Sequence, residues 1–269
     1  MNTIAYVIIF LFGNIIGSFL NVVIYRFNSG KTLGGRSICM SCAHTLRWYE
    51  LIPVFSFLIQ SGKCRSCSSK ISHQYPIVEI ATGIIFALLA FHFSKILSFS
   101  QATFISLLIY FMFLFSILIV ISVYDMKHKI IPDKLSYGLA VFSFISLFIN
   151  QSGIGSFFIK PSLVDISAGP LIAFGFALIW IFSKGKLMGL GDAKLALGIG
   201  WILGMSAGIA GIVLAFWIGA VFGIMMLVFS NKKVGMKTEI PFAPFLILGT
   251  LIAFIFNLNF LSLAQMFSF

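Results

Sequence analysis

The chain has 269 residues, of which 60% are hydrophobic and only 9% are charged. This composition lies far outside the range of soluble globular proteins and predicts an all-α polytopic membrane protein. The formal net charge of +11 would suit a nucleic-acid-binding protein. The distribution of the basic residues between membrane loops explains the charge better, and we expect no nucleic-acid partner.

Apolar segments of about 20 residues recur along the chain and predict transmembrane helices. The first segment has no basic n-region and no small-residue cleavage pattern, so we interpret it as a retained span and not as a signal peptide. Asn14, Ser18 and Asn21 share one helical face there, which predicts packing against other helices. About eight spans are predicted, at 4–25, 77–97, 102–124, 135–150, 163–182, 193–204, 208–229 and 242–263.

Alternate loops between these segments contain nearly all of the basic residues. Of the 18 lysines and arginines, only Lys95 and Lys160 fall on the opposite side. The positive-inside rule makes the basic side cytoplasmic and places both termini outside. The same assignment places Asp125 and Asp192 together on the cytoplasmic face of the membrane.

The loop between the first two predicted spans, 26–75, contains every cysteine of the chain. Two Cys-x-x-Cys motifs separated by 21 residues are typical of a structural zinc site with four thiolate ligands. Disulfides or a redox motif are the alternatives, but a cytoplasmic loop disfavours stable disulfides. His44 and His73 are interpreted as surface or outer residues because four thiolates complete a tetrahedron. The four predicted metal ligands are Cys39, Cys42, Cys64 and Cys67.

Asp125 and Asp133 lie at opposite ends of a short basic loop. Asp133 follows Pro132 at the start of a predicted helix, so we interpret Asp133 as an N-cap. Asp125 ends the preceding helix, where the helix dipole disfavours an anion, so capping does not explain it. A carboxylate near lipid is costly unless it is paired or faces water, and this makes Asp125 a candidate functional residue.

Asp192 follows Gly189-Leu-Gly191 and precedes a predicted helix, which it could simply cap. The two glycines would allow close approach of another segment, and Lys194 is near enough in sequence to influence ionisation. Two carboxylates that share a site can hold one proton between them. One can then activate water while the other polarises a peptide carbonyl, which is the chemistry of aspartyl proteases. We therefore predict Asp125 and Asp192 as a catalytic pair.

The series of motifs resembles the type IV prepilin peptidases, which are bacterial inner-membrane aspartyl proteases of the Gly-x-Gly-Asp class. The resemblance covers most of the chain. Tyr25, Met40 and Ala243 depart from residues that are usual in the family. The matching segments are 17–26, both cysteine motifs, 48–53, 75–79, 125–133, 189–194 and 240–246.

The resemblance implies that Asp125 and Asp192 are catalytic and that the cysteine loop binds zinc. It also implies cleavage of a short basic leader from prepilins or pseudopilins at the cytoplasmic face of the inner membrane. N-methylation of the new terminus with S-adenosylmethionine would follow. The implied organisation is a first transmembrane helix at 1–25, a zinc-binding domain at 26–75 and a transmembrane peptidase domain at 76–269. Membrane lipid would contact the transmembrane segments.

Several alternatives remain open from the sequence. Glu50 and Glu79 flank the cysteine loop and could help to bind a cofactor or a leader peptide, although Glu79 could equally stabilise the first turn of a helix. A proton- or cation-coupled transporter would also use intramembrane carboxylates. A zinc-stabilised membrane scaffold without activity would need the cysteines but not Asp125 or Asp192.

Overall fold

The computed structural model describes residues 1–267 apart from 31, 33, 153 and 230–239. Within these residues the chain is all-α, as predicted, and contains only isolated β-bridges besides its helices. Lys31, Lys232, Lys233 and Lys237, which the topology prediction assigns to cytoplasmic loops, lie outside the described part. The α-helices are α1 (Thr3–Arg26), α2 (Phe55–Ile59), α3 (Gln74–Phe93), α4 (Gln101–His128), α5 (Asp133–Ser146), α6 (Leu163–Ser183), α7 (Leu190–Phe229), α8 (Ala243–Phe256) and α9 (Phe260–Phe267).

Five helical segments of the described chain are long and apolar enough to cross a membrane, and the predicted count of eight spans is not confirmed. The predicted span 135–150 corresponds to α5, whose 14 residues extend only about 21 Å at 1.5 Å per residue. The predicted span 242–263 is divided into α8 and α9 at Asn257, which has a left-handed backbone conformation with φ of 49°. The five segments are Thr3–Arg26, Gln74–Ser98, Gln101–His128, Leu163–Ser183 and Leu190–Phe229.

Helix α7 combines two predicted spans, 193–204 and 208–229. It has 40 residues and is bent at Gly204, whose φ of 74° and ψ of −178° are not helical. A positive φ is accessible to glycine at little cost because glycine has no Cβ atom. The bend therefore has an identifiable cause in the sequence, and the part of α7 before it brings Asp192 into the core of the surrounding helices.

The structure divides into two compact units. Unit 1 comprises Met1–Leu97 and Leu108–Val120, and unit 2 comprises Ser98–Leu107 and Ile121–Phe269, so α4 contributes to both. In unit 1, α1 packs along α3. A Cβ atom at Gly17 would lie 2.7 Å from Cα of Glu79, so glycine is required for this close approach, as in membrane helix pairs with small residues at their interface.

The predicted packing face of α1 is confirmed by the burial of its polar residues. Asn14 and Asn21 are buried. The Asn21 side chain donates hydrogen bonds to the backbone carbonyls of Gly17, at 3.3 Å, and Tyr75, at 3.2 Å. The bond to Tyr75 ties α1 to the start of α3, and both bonds satisfy a polar group that would otherwise be costly in an apolar environment.

Unit 2 is organised around α7, which packs against α5, α6, α8 and α9. Its apolar core includes Leu139 of α5, Leu195 of α7 and Leu246 of α8, all fully buried. The indole of Trp201 on α7 donates a hydrogen bond of 2.9 Å to the carbonyl of Ile166 on α6. The end of α4 and the beginnings of α7 and α8 belong to this unit, and the aspartates lie there.

Candidate active site and metal centre

Asp125 lies in the last turn of α4 and its side chain is only 5% exposed. Its Oδ2 atom accepts a hydrogen bond of 3.2 Å from the backbone amide of Ala243, the first residue of α8. The N-terminus of a helix favours an anion because its first amides lack helical partners. The dipole of α8 therefore offsets the unfavourable position of Asp125 in its own helix. Sequence reasoning missed this contact, because nothing local to Asp125 indicates α8.

Asp192 lies in the first turn of α7 and is 8% exposed. Its backbone amide donates a hydrogen bond of 3.2 Å to the carbonyl of Gly189. The amides of Gly189 and of Asp192 itself interact with its carboxylate. A Cβ atom at Gly191 would lie 2.9 Å from Cβ of Ile131, whereas one at Gly189 would meet nothing closer than 3.7 Å. The close contact with Ile131 therefore requires a glycine at position 191, whereas position 189 has room for a side chain.

The two carboxylates belong to the same unit and are near enough to interact electrostatically. The fold thus brings together two residues that are far apart in sequence, as the catalytic-pair hypothesis requires. Both side chains are buried, and that of Asp125 accepts a backbone hydrogen bond. A buried pair of this kind can share a proton, with one oxygen available as a base and another as an acid.

Lys194 does not pair with Asp192. Its ammonium nitrogen lies 2.7 Å from Oδ1 of Asp133 and 5.4 Å from the ring centroid of Tyr137. The expectation that Lys194 would act on the ionisation of Asp192 is therefore not supported. The N-cap prediction for Asp133 is wrong by one residue, because Pro132 occupies the cap position and Asp133, the first helical residue, binds Lys194.

The two cysteine motifs form turns of the same geometry. In the first turn, the Cys39 amide donates to the His44 carbonyl and the Ala43 amide donates to the Cys39 carbonyl, both at 2.9 Å. The second turn repeats these bonds at the same distance between Cys64, Ser68 and Ser69. The residue after the second cysteine of each motif has a left-handed backbone, with φ of 56° at Ala43 and 55° at Ser68. Each turn thus directs its two thiols to the same side.

The four cysteine sulfurs lie within 4.8 Å of one another. The Sγ atoms of Cys39 and Cys67 are 3.9 Å apart, close to the roughly 3.8 Å that a tetrahedron with Zn–S bonds of about 2.3 Å requires. The cysteines Cys39, Cys42, Cys64 and Cys67 can therefore hold a metal ion. Neither His44 nor His73 belongs to this cluster among the described residues, and His73 packs edge-on against the ring of Phe57.

Hydrogen bonds around the sulfurs of Cys39 and Cys67 favour their thiolates, the form that binds metal. Those from the backbone amides of Cys42 and Ser41 lower the pKa of the Cys39 thiol to about 6. The hydroxyl of Ser69, 3.1 Å from the sulfur, lowers the pKa of Cys67. Against a hydrogen bond from the His44 amide, desolvation and the neighbouring sulfurs of Cys67 and Cys39 raise the pKa of the Cys42 thiol to about 11. Sequence reasoning missed Ser69, although its place two residues after the last cysteine of the second motif could have indicated an outer partner.

Glu50 and Glu79 are both buried, at 8% and 6% exposure. Glu50 closes a short turn by accepting a hydrogen bond of 2.8 Å from the amide of Arg47. Glu79 lies on α3 and accepts one of 2.7 Å from the amide of Val54. Glu79 does not act within the first turn of its own helix but binds the cysteine loop to α3, and both glutamates line a cavity in unit 1.

These features define a polytopic membrane protein with a buried pair of aspartates and a cluster of four cysteines that can hold a metal ion. Residues 11–93 match the bacterial peptidase A24 N-terminal domain, and residues 112–224 match the type IV leader peptidase family. The chain belongs to this family, so the resemblance inferred from its motifs is confirmed.

Three similar proteins match the chain over about nine-tenths of their own length. A prepilin leader peptidase/N-methyltransferase of Bacillus subtilis is 32% identical over 93% of this chain and 94% of its own length. The protein of the same name from Pseudomonas aeruginosa is 31% identical over 92% and 89%. One from Vibrio cholerae is 28% identical over 89% and 92%. No solved structure matches the chain.

Proposed function

We propose that this protein is an aspartyl endopeptidase that removes the short basic leader of type IV prepilins or pseudopilins. The observation that carries the proposal is the buried pair of Asp125 and Asp192, which one helical unit brings within electrostatic reach of each other. Family membership and the names of the similar proteins support the substrate class. The site would act at the cytoplasmic face of the bacterial inner membrane, in contact with lipid.

The chemistry follows from the pair sharing one proton. The ionised carboxylate removes a proton from water, and the resulting hydroxide oxygen bonds to the scissile carbonyl carbon while the protonated carboxyl donates its proton to the carbonyl oxygen. Proton transfer to the peptide nitrogen then allows the C–N bond to break, which releases the leader carboxylate and the new amino terminus. Asp125 and Asp192 carry these roles jointly, because the shared proton belongs to the pair.

Zinc is the proposed occupant of the cysteine cluster, in a structural role. Four thiolates complete the tetrahedral coordination that structural zinc sites have, and they leave no open position for catalysis. The cysteine loop has little apolar core of its own, so metal binding would contribute much of its folding free energy. On this proposal the domains are the first helix at 1–25, the zinc-binding domain at 26–75 and the peptidase domain at 76–269.

N-methylation of the new terminus is the second proposed activity. It is supported by the names of the similar proteins, which combine leader peptidase and N-methyltransferase. S-adenosylmethionine would supply the methyl group: the amine nitrogen bonds to the methyl carbon, the C–S bond breaks with its electron pair kept by sulfur, and the amine loses a proton to solvent.

The test is incubation of the purified full-length protein with a prepilin and S-adenosylmethionine, followed by mass analysis of the product. Loss of the leader and the methyl increment are then measured separately. Asp125→Asn and Asp192→Asn should each abolish cleavage in a folded, membrane-inserted protein, whereas Asp133→Asn, which removes an exposed carboxylate, should retain it. Cleavage by either of the first two variants would exclude that residue from the catalytic pair.

The transporter alternative has no support from the comparisons. It predicts flux across proteoliposomes that collapses in Asp192→Asn without any peptide cleavage. The inactive-scaffold alternative predicts no change in any activity when either aspartate is replaced. Both alternatives are therefore separated from the peptidase by the same two variants.

A further inference from the structure

Unit 1 contains a cavity whose lining includes neither Asp125 nor Asp192. Its volume is about 810 Å³, which lies within the roughly 300–1,000 Å³ of typical small-molecule sites. Residues from the C-terminal end of α1, from the N-terminal end of α3 and from the cysteine loop line it. The cavity therefore lies where the two helices and the metal-binding loop meet.

Two of the seven carboxylates of the chain, Glu50 and Glu79, line this cavity. Both are more than nine-tenths buried, and each accepts a hydrogen bond from a backbone amide. Among the residues that the structure describes, neither forms an ion pair with a basic side chain. A buried carboxylate without a cationic partner is costly, so the cavity is suited to a ligand that carries positive charge.

Aromatic rings form another part of the wall. The rings of Tyr25 and Tyr75 are stacked, with centroids 5.2 Å apart and an interplanar angle of 14°, and both residues line the cavity. Aromatic faces attract cations and stack on planar heterocycles. Three basic residues also line the cavity. Arg36 and Lys70 are exposed and can bind a ligand carboxylate, whereas the Arg26 guanidinium donates hydrogen bonds to the backbone carbonyls of Thr32 and Arg36.

We infer that this cavity binds the methyl donor S-adenosylmethionine, with Glu79 facing a cationic group of the donor and the tyrosine pair contacting its adenine. The donor combines a planar base, a sulfonium, an ammonium and a carboxylate, and the wall offers a complement to each. A single lysine or arginine of a basic leader would fill only a small part of 810 Å³. This inference rests on the proposed N-methyltransferase function and assigns its cofactor site to unit 1.

Direct binding tests the inference without using activity. S-adenosylmethionine is titrated calorimetrically into the purified full-length protein in detergent micelles. We expect Glu79→Gln and Tyr75→Leu to weaken binding about tenfold or more, the loss expected for one charge-assisted or stacking contact. Asp165→Asn is the control, because it removes a carboxylate of unit 2 that accepts a hydrogen bond from Ser162. The affinity of this variant for S-adenosylmethionine should equal that of the wild type.

Ultraviolet cross-linking of radiolabelled S-adenosylmethionine to the wild-type protein gives a second measurement, which stands even where a variant fails to fold. The label should map to peptides that contain Tyr25 or Tyr75. Label confined to unit 2, or unchanged affinity in a folded Glu79→Gln variant, would overturn the location of the site but not the proposed methylation. Wild-type protein that cleaves prepilin but neither binds nor uses S-adenosylmethionine would overturn methylation itself. If Glu79→Gln weakens the binding of a basic leader peptide but not of S-adenosylmethionine, the cavity is a leader site and the inference is wrong.

Discussion

The cysteine loop of unit 1 and the aspartate site of unit 2 are built in different ways. The loop obtains its geometry from two short turns, in which each motif repeats the same hydrogen bonds between near neighbours. The aspartate site has no such local frame: Asp125 ends α4, Asp192 begins α7, and an amide of α8 supports Asp125. One site is made by local turns and the other by the packing of long helices.

This difference predicts how each site fails. Local turns position the thiols, and on the proposed structural role for zinc the loop would need metal to hold its two turns together. Helix packing positions the aspartates, so any change that separates α4, α7 and α8 disturbs them without altering a catalytic atom. Metal removal should therefore damage the first site most, whereas added side-chain volume between helices should damage the second.

Loss of the metal has the largest expected effect. Replacing the buried ligand in Cys64→Ser should abolish metal retention and unfold the loop, because structural zinc contributes on the order of 10 kcal/mol to small metal-dependent folds. Metal content of the purified protein and limited proteolysis of the loop are the measurements. Ser66→Ala, in the same turn, is the control and should keep the metal. A metal-free Cys64→Ser protein whose loop resists protease would contradict the structural role.

Crowding the contact between α1 and α3 ranks second. A Cβ atom at Gly17 would lie 2.7 Å from Cα of Glu79, so Gly17→Ile must force the helices apart at a cost of about 3 kcal/mol. The wall of the cavity beside Glu79 would move with them. We expect a lower unfolding temperature and weaker binding of S-adenosylmethionine, measured by thermal unfolding and by calorimetry. An unchanged unfolding temperature would show that α1 and α3 are not in tight contact at Gly17 in the membrane.

A smaller change sharpens the comparison in unit 2. Gly191→Ala places a methyl group 2.9 Å from Cβ of Ile131, and the neighbouring Asp192 must shift. We expect cleavage of prepilin to fall about tenfold to a hundredfold, with a destabilisation of about 1–2 kcal/mol. Gly175→Ala is the matched control because its Cβ would meet nothing within 4 Å. Equal cleavage rates in the two variants would show that Gly191 does not position Asp192.

The sequence revealed the local site more completely than the distant one. Spacing identified all four cysteines, because two Cys-x-x-Cys turns carry their geometry within a few residues. The two aspartates could be selected because carboxylates near lipid are rare, but the amide of Ala243 that supports Asp125 depends on how α8 packs. The span count was not confirmed for the same reason: hydropathy finds apolar length, yet it does not show that Gly204 bends one continuous helix or that Asn257 ends another.

The pairing of Lys194 with Asp133 has the smallest expected effect. The Lys194 ammonium nitrogen lies 2.7 Å from Oδ1 of Asp133, whose side chain is 61% exposed. Solvent therefore screens the interaction, and surface ion pairs contribute less than about 1 kcal/mol to stability. We therefore expect Lys194→Met to lower the unfolding temperature only slightly and to leave the pH profile of prepilin cleavage unchanged, since Lys194 binds Asp133 and not Asp192. A displaced pH profile would show that Lys194 acts on the aspartate pair after all. Asp133→Asn with an unchanged unfolding temperature would confirm that this pair, unlike the proposed catalytic carboxylates, is dispensable.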